Sequence, residues 1–198
     1  FSLEKVDKST NNVAIGSYAL HGDGDDVYES VAVGIDALAH GKSLTGITAV
    51  GSGAMGNAAD SADQSIAIGY QALGAVVSSS WNIAIGNNAL ATNVSGSQNT
   101  AVGDTAMYSN QTGGANVAVG TYALAGNADG SQNIAVGYNA SNQTTGNDNI
   151  AIGHGALATN RGGSYNIGIG FGAMGGCCQK DSDGHIAIGF QALYDMDA

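Results

Sequence analysis

A glycine that returns about every seventeen residues limits this chain more than any other feature. Gly16, Gly34, Gly51, Gly69, Gly86, Gly103, Gly120, Gly137, Gly153, Gly170 and Gly189 are separated by 18, 17, 18, 17, 17, 17, 17, 16, 17 and 19 residues. Each is the centre of one motif, seen most plainly in Asn82 to Leu90, NIAIGNNAL. A near-constant period of this length marks stacked supersecondary units, each of which buries its apolar side only against a neighbour. The period predicts a single elongated all-β domain over residues 12–198, after a lead-in, residues 1–11, that carries no copy of the motif.

Two residues before each glycine stands an alanine, replaced once by Gly168, between two mostly branched residues such as Ile83 and Ile85. Alternation of branched and small side chains has period two and reads as a short strand. The branched pair then faces one way and the small pair the other. The expectation is that the branched residues, Ile85 and Val102 among them, stack inside. The small face would be left open to close approach by another chain. Three residues past each glycine there is always an alanine, followed by Leu or Met except at Ser141. This segment reads as a second short strand that buries one large apolar side chain per coil. It is too short, and too interrupted by Gly, Asn and Ser, for a helix.

Asn93, Asn110, Asn127 and Asn160 lie seven past their glycines, and Gly96, Gly113, Gly130 and Gly163 lie ten past. Both residue types accept left-handed backbone angles, so each N-x-x-G reads as a tight corner. A further asparagine opens the next strand: Asn82, Asn99, Asn116, Asn133 and Asn166. Stacked in register, these are expected to form amide ladders. The prediction is a parallel β-solenoid of about eleven coils, which at ~4.8 Å per coil is a rod on the order of 50 Å long. One coil alone cannot offset the ~1–2 kcal/mol per residue lost on ordering its backbone, so neighbours are obligatory.

Sixteen acidic against five basic residues give a net charge of -11, which argues against nucleic-acid binding. No apolar run approaches the ~18 residues of a membrane span. The chain opens on Phe1 without a signal peptide and stops just after a repeat. It therefore reads as a processed or recombinant segment whose end is covered by further chain or by another subunit.

Few residues suggest chemistry. Asp23, Asp25 and Asp26, with His21 and His40 one coil apart, are a candidate calcium loop. Their spacing lacks both the EF-hand pattern and the calcium-roll signature, so they read as a solvated turn. Asp181 and Asp183 invite the same guess. Cys177 and Cys178 leave three readings open: a vicinal disulfide, a bridge between chains, or plain surface thiols. They do not make a zinc site. His154 and His185 occupy different coil positions and read as surface histidines. The carboxylates Asp36, Asp63, Asp104, Asp129 and Asp148 are scattered rather than paired for glycoside hydrolysis, and no nucleophile elbow is present. The chain reads as non-enzymatic, with no cofactor and no metal. Trp81 and Tyr165 share one coil position, just before the strand-opening asparagine, and are the candidate contacts to a receptor or glycan.

NIAIGNNAL, NVAVGTYAL, NIAIGHGAL and HIAIGFQAL resemble the head repeats of trimeric autotransporter adhesins, and equally the NTAVGYQAL-type repeats of bacteriophage tail fibres. The resemblance runs from Asn12 to Leu193. It implies a left-handed parallel β-roll packed as a homotrimer, with the strand from Ile83 to Gly86 nearest the threefold axis. It also implies an extracellular setting, on a virion tail fibre or a bacterial outer surface. There the segment would present a receptor-binding surface to a host cell through many weak contacts. A purely mechanical spacer is the nearest alternative, and a polysaccharide-degrading tailspike a more distant one.

Overall fold

The computed structural model describes residues 10–21, 26–40, 43–58, 62–176 and 183–194. Among them there is no helix. The strands are β1 (Val13–Ile15), β2 (Val27–Tyr28), β3 (Val31–Val33), β4 (Leu44–Thr45), β5 (Thr48–Val50), β6 (Ile66–Ile68) and β7 (Ile83–Ile85). They continue as β8 (Thr100–Val102), β9 (Val117–Val119), β10 (Ile134–Val136), β11 (Ile150–Ile152), β12 (Ile167–Ile169) and β13 (Ile186–Ile188). β2 and β4 pair with each other in a small sheet. The remaining eleven strands form one parallel sheet in chain order, every motif against the next. Register is like upon like: Ala84 lies opposite Ala101, and Ile85 opposite Val102. The chain is a β-solenoid of about nine turns. Eleven coils were expected from the period. Eleven rungs are present in the sheet, but several of the connections between them run partly outside the described residues.

Contact between rungs does not stop where the strands end. Leu90 N–H donates to the Ala106 carbonyl (3.0 Å), Asn88 N–H to that of Tyr70 (2.9 Å), and Ile83 N–H to that of Asn99 (2.8 Å). The segment past the glycine is nevertheless not the second strand the sequence suggests. Residues two and four past each glycine adopt left-handed angles, as at Thr105 (φ 57°) and Met107 (φ 52°), and so does the residue five before it, as at Gln98 (φ 62°). A left-handed residue cannot continue an extended strand, and the chain turns at each one. Ala106 N–H closes the first turn on the Gly103 carbonyl (3.3 Å), with its left-handed residue third, as a type II turn requires.

The interior reverses the sequence expectation. Ala84, Ala101 and Ala118 are fully buried, whereas Ile85 is 37% exposed and Val102 is half-buried. The branched pair points outward because the space beneath the strand is already occupied by the Leu or Met column. A Cβ added at Gly168 would lie 3.0 Å from Leu157 Cγ and 3.1 Å from the Ala173 carbonyl oxygen. Only a methyl-sized side chain fits there. The core is therefore three columns wide: strand alanines, the alanines three past the glycine, and Leu73, Leu90, Met107, Leu124 and their counterparts. A small-residue face turned inward cannot admit another chain. At the one copy that lacks Leu or Met, Ser141 Oγ lies 2.6 Å from Thr144 Oγ1, both buried, so a hydrogen-bonded pair fills the gap.

The asparagine ladders form as expected, and the corner asparagines act by a different mechanism. Asn99 N–H donates to Asn82 Oδ1 (2.9 Å) and Asn116 N–H to Asn99 Oδ1 (3.0 Å). The series continues to His185 N–H on Asn166 Oδ1 (2.9 Å). Asn116 and Asn127 both donate their Nδ2 to the Gly130 carbonyl, each at 2.9 Å, closing the coil on itself. Asn110 Nδ2 reaches Asn93 Oδ1 (2.8 Å) in a second ladder at the corner. These corner residues do not carry left-handed angles. Asparagine is there for its amide. Gly96 is there because a Cβ would lie 2.2 Å from the Gly113 oxygen. Where Ser30 and Ser65 open a strand instead, their hydroxyls accept from Ile47 N–H (3.1 Å) and Asn82 N–H (3.2 Å).

Two stability predictions follow from these contacts. Gly86 holds a φ of 139°, and a Cβ on it would lie 2.3 Å from the Gly103 oxygen. Gly86→Ala is therefore expected to cost about 3 kcal/mol or more in urea unfolding. Asn116→Ala strips the buried Asn133 N–H of its acceptor and should cost about 1–3 kcal/mol. Asn116→Ser should cost visibly less, since serine already fills that role at Ser30 and Ser65. Equal stability of Asn116→Ala and the native chain would contradict the ladder.

Candidate functional site

With alanine inward on every strand, the alternation of side chains forces the flanking pair outward on every rung. Two parallel columns of Val and Ile result, broken only by Thr48 and Thr100, and neither contains a charged residue. Val117, Val119, Ile134 and Val136 are each 36% to 39% exposed, and Ile186 and Ile188 are more so. Parallel sheets are ordinarily covered on both faces, and contiguous apolar surface on this scale marks an interaction site.

The next outward position, immediately past the glycine, adds a column of rings. Tyr138 stacks on His154 (centroids 5.1 Å apart, planes at 24°), His154 on Phe171 (4.9 Å, 11°), and Phe171 on Phe190 (5.4 Å, 14°). Tyr122, two past its own glycine, meets Tyr138 edge-on at 6.1 Å. The rings stack because the solenoid repeats every side chain at nearly the separation that aromatic faces prefer. Their edges remain in solvent. The sequence carried the signal as aromatic letters at one motif position, but that position varies elsewhere in the chain and drew no attention.

The residues singled out from the sequence are dispersed. Trp81 and Tyr165 are 57% and 65% exposed, both in left-handed conformation at the same corner. They stand five rungs apart, about 24 Å at ~4.8 Å per rung, so they form no common patch. Trp81 Nε1 donates to Gln64 Oε1 on the preceding rung at 2.6 Å. Asp23, Asp25, Cys177, Cys178 and Asp181 lie outside the described residues. The Asp26 carboxylate accepts a hydrogen bond from the Tyr28 hydroxyl, which together with burial and the carboxylate's charge pushes the phenol above its ordinary range. Asp183 accepts from Ser164 N–H at 2.6 Å, an architectural role. His185 takes a strand-opening asparagine's place and His154 an exposed one, so the two do not meet. His21 packs edge-on against Tyr18 at 5.5 Å. Among the described residues, no three His, Cys, Asp or Glu side chains cluster to hold a metal ion. Nor is any helix among them long and apolar enough to cross a membrane.

No family model, curated protein or solved structure matches the chain.

The aromatic column makes its own prediction. Phe171→Ala opens the stack at its centre and should lower stability by about 1–2 kcal/mol. Near-ultraviolet circular dichroism should record the lost ring coupling, and an unchanged spectrum would argue against the column.

Proposed function

We propose that the chain is a non-enzymatic structural and adhesive segment of an extracellular surface fibre. In this reading it is a left-handed β-roll assembled as a homotrimer, which presents a receptor-binding surface to a host cell from a phage tail fibre or a bacterial outer surface. The observation that carries the reading is the pair of outward Val and Ile columns. Three copies related by one axis would cover these faces with each other and leave the corners, with Trp81 and Tyr165, outermost. This replaces the route to an oligomer suggested by the small-residue face, which is buried in the core. The motif's resemblance to adhesin-head and tail-fibre repeats supports the setting, and the repetition of one surface along a rod suits binding by many weak contacts.

The spacer reading draws on a different observation: the buried asparagine ladder runs unbroken from Asn82 to His185, which makes this stretch uniform and stiff. A segment can serve as both rod and contact surface, and the two readings differ in whether the isolated segment binds host cells.

Light scattering tests the assembly. The native chain should show three times the 19.5 kDa chain mass, under reducing as well as non-reducing conditions. Val117→Lys combined with Ile152→Lys places charge in both columns and should yield single chains with retained β-sheet circular dichroism. A native chain that runs as a compact monomer at micromolar concentration would overturn the trimer.

A further inference from the structure

Away from the sheet, a groove of about 520 Å³ runs along the outside of the solenoid, a size typical of ligand sites. It crosses the rungs that follow Gly34, Gly51, Gly69, Gly86 and Gly103, about 19 Å at ~4.8 Å per rung. None of its lining residues belongs to a strand, so covering the Val and Ile columns need not close it. The floor is low because Ala39, Gly56, Gly74 and Ala91 occupy the position five past the glycine; Tyr108 takes the same position on the next rung and ends the groove. One wall is the left-handed corner, with Asp36 (φ 54°), Gln71 (φ 51°) and Asn88 (φ 53°) on it and Gly53 holding the rung between the first two. On the other wall Asn57 and Thr92 are committed to the carbonyls of Gly74 (3.2 Å) and Tyr108 (2.6 Å). The Asp36, Gln71 and Asn88 side chains make no hydrogen bond with any described residue. Among the described residues no Lys or Arg lines the groove, and His40 is its one lining histidine.

We infer that this groove binds a neutral oligosaccharide lying along the rod axis. A row of uncommitted amide and carboxylate groups suits the paired hydroxyls of successive sugar rings, the amides able to donate and accept and the carboxylate to accept. The Tyr108 ring offers an apolar face with a polar tip to a terminal sugar. Asp36, the lack of Lys or Arg among the described lining residues, and the chain's net charge of -11 disfavour anionic glycans. The inference rests on reading the solenoid as a surface-presenting segment, and it names the ligand class and the place.

The test uses the whole chain, with maltohexaose, cellohexaose and mannohexaose as neutral probes and a heparin hexasaccharide as the anionic one. The readouts are saturation-transfer NMR and titration calorimetry. At least one neutral hexasaccharide should bind with a submillimolar Kd. Gln71→Ala, Asn88→Ala and Tyr108→Ala should each weaken it fivefold or more. Ala91→Tyr fills the floor with a side chain the fold accepts at the same position in Tyr108, and should abolish binding. Silence across the neutral probes, preference for heparin, or binding that survives Ala91→Tyr would each overturn the inference. Light scattering on the same samples separates the two readings. Lost sugar binding with an intact trimer removes the groove alone, and a monomer that still binds sugar removes the trimer alone.

Discussion

At each motif glycine from Gly16 to Gly170, backbone rests on backbone with no room for a side chain between them. That contact fixes the spacing and register of the rungs, and register decides everything that repeats. Alanine is set over alanine, leucine over methionine, and one asparagine amide over the next. The left-handed residues, each costing roughly 1–2 kcal/mol in isolation, persist because their N–H groups are bonded to the neighbouring rung. No rung is stable by its own contacts, and all are held by the same few contacts repeated.

This narrow winding also explains the distribution of apolar side chains. A lumen filled by one Leu or Met per turn has space for nothing larger than alanine beneath the strand. The remaining branched residues are therefore displaced to the outer face. A globular domain keeps its largest apolar side chains for itself; here two columns of them are turned away from the core that the chain can build. In the proposed trimer, burial within the chain and burial against a neighbour would be parts of one balance, and the solenoid's stability would be tied to its assembly state.

The period, the parallel strands, the lack of helix and the amide ladders were legible because they depend only on motif copies being superposed. Which face of the strand lies inside was not legible. Alternation at Ile83, Ala84 and Ile85 shows that two faces differ, and only the volume taken by Leu157 and its counterparts decides between them. At Asn93 and Asn110 the residue type was right and the reason was not: both carry right-handed or extended backbone and are present for hydrogen bonds. The stack from Tyr138 to Phe190 and the groove floor from Ala39 to Ala91 occupy positions that vary from copy to copy. A variable position has meaning only once the rungs are set in three dimensions. Trp81 and Tyr165 were recognisable as aromatics at one coil position, and the five periods from Gly86 to Gly170 already set them too far apart for a common patch.

The direction of the bonds has a mechanical consequence. Backbone hydrogen bonds and both asparagine ladders run from rung to rung, along the axis of the rod. Tension drawn through the chain ends would bear equally on every interface, and an end rung, bonded on one side only, would give way first, so the rod would yield by peeling one unit after another instead of rupturing at once. Each detached loop would lengthen the tether and dissipate force, and the next unit would present the same template for re-attachment. A filament built this way behaves as a shock absorber.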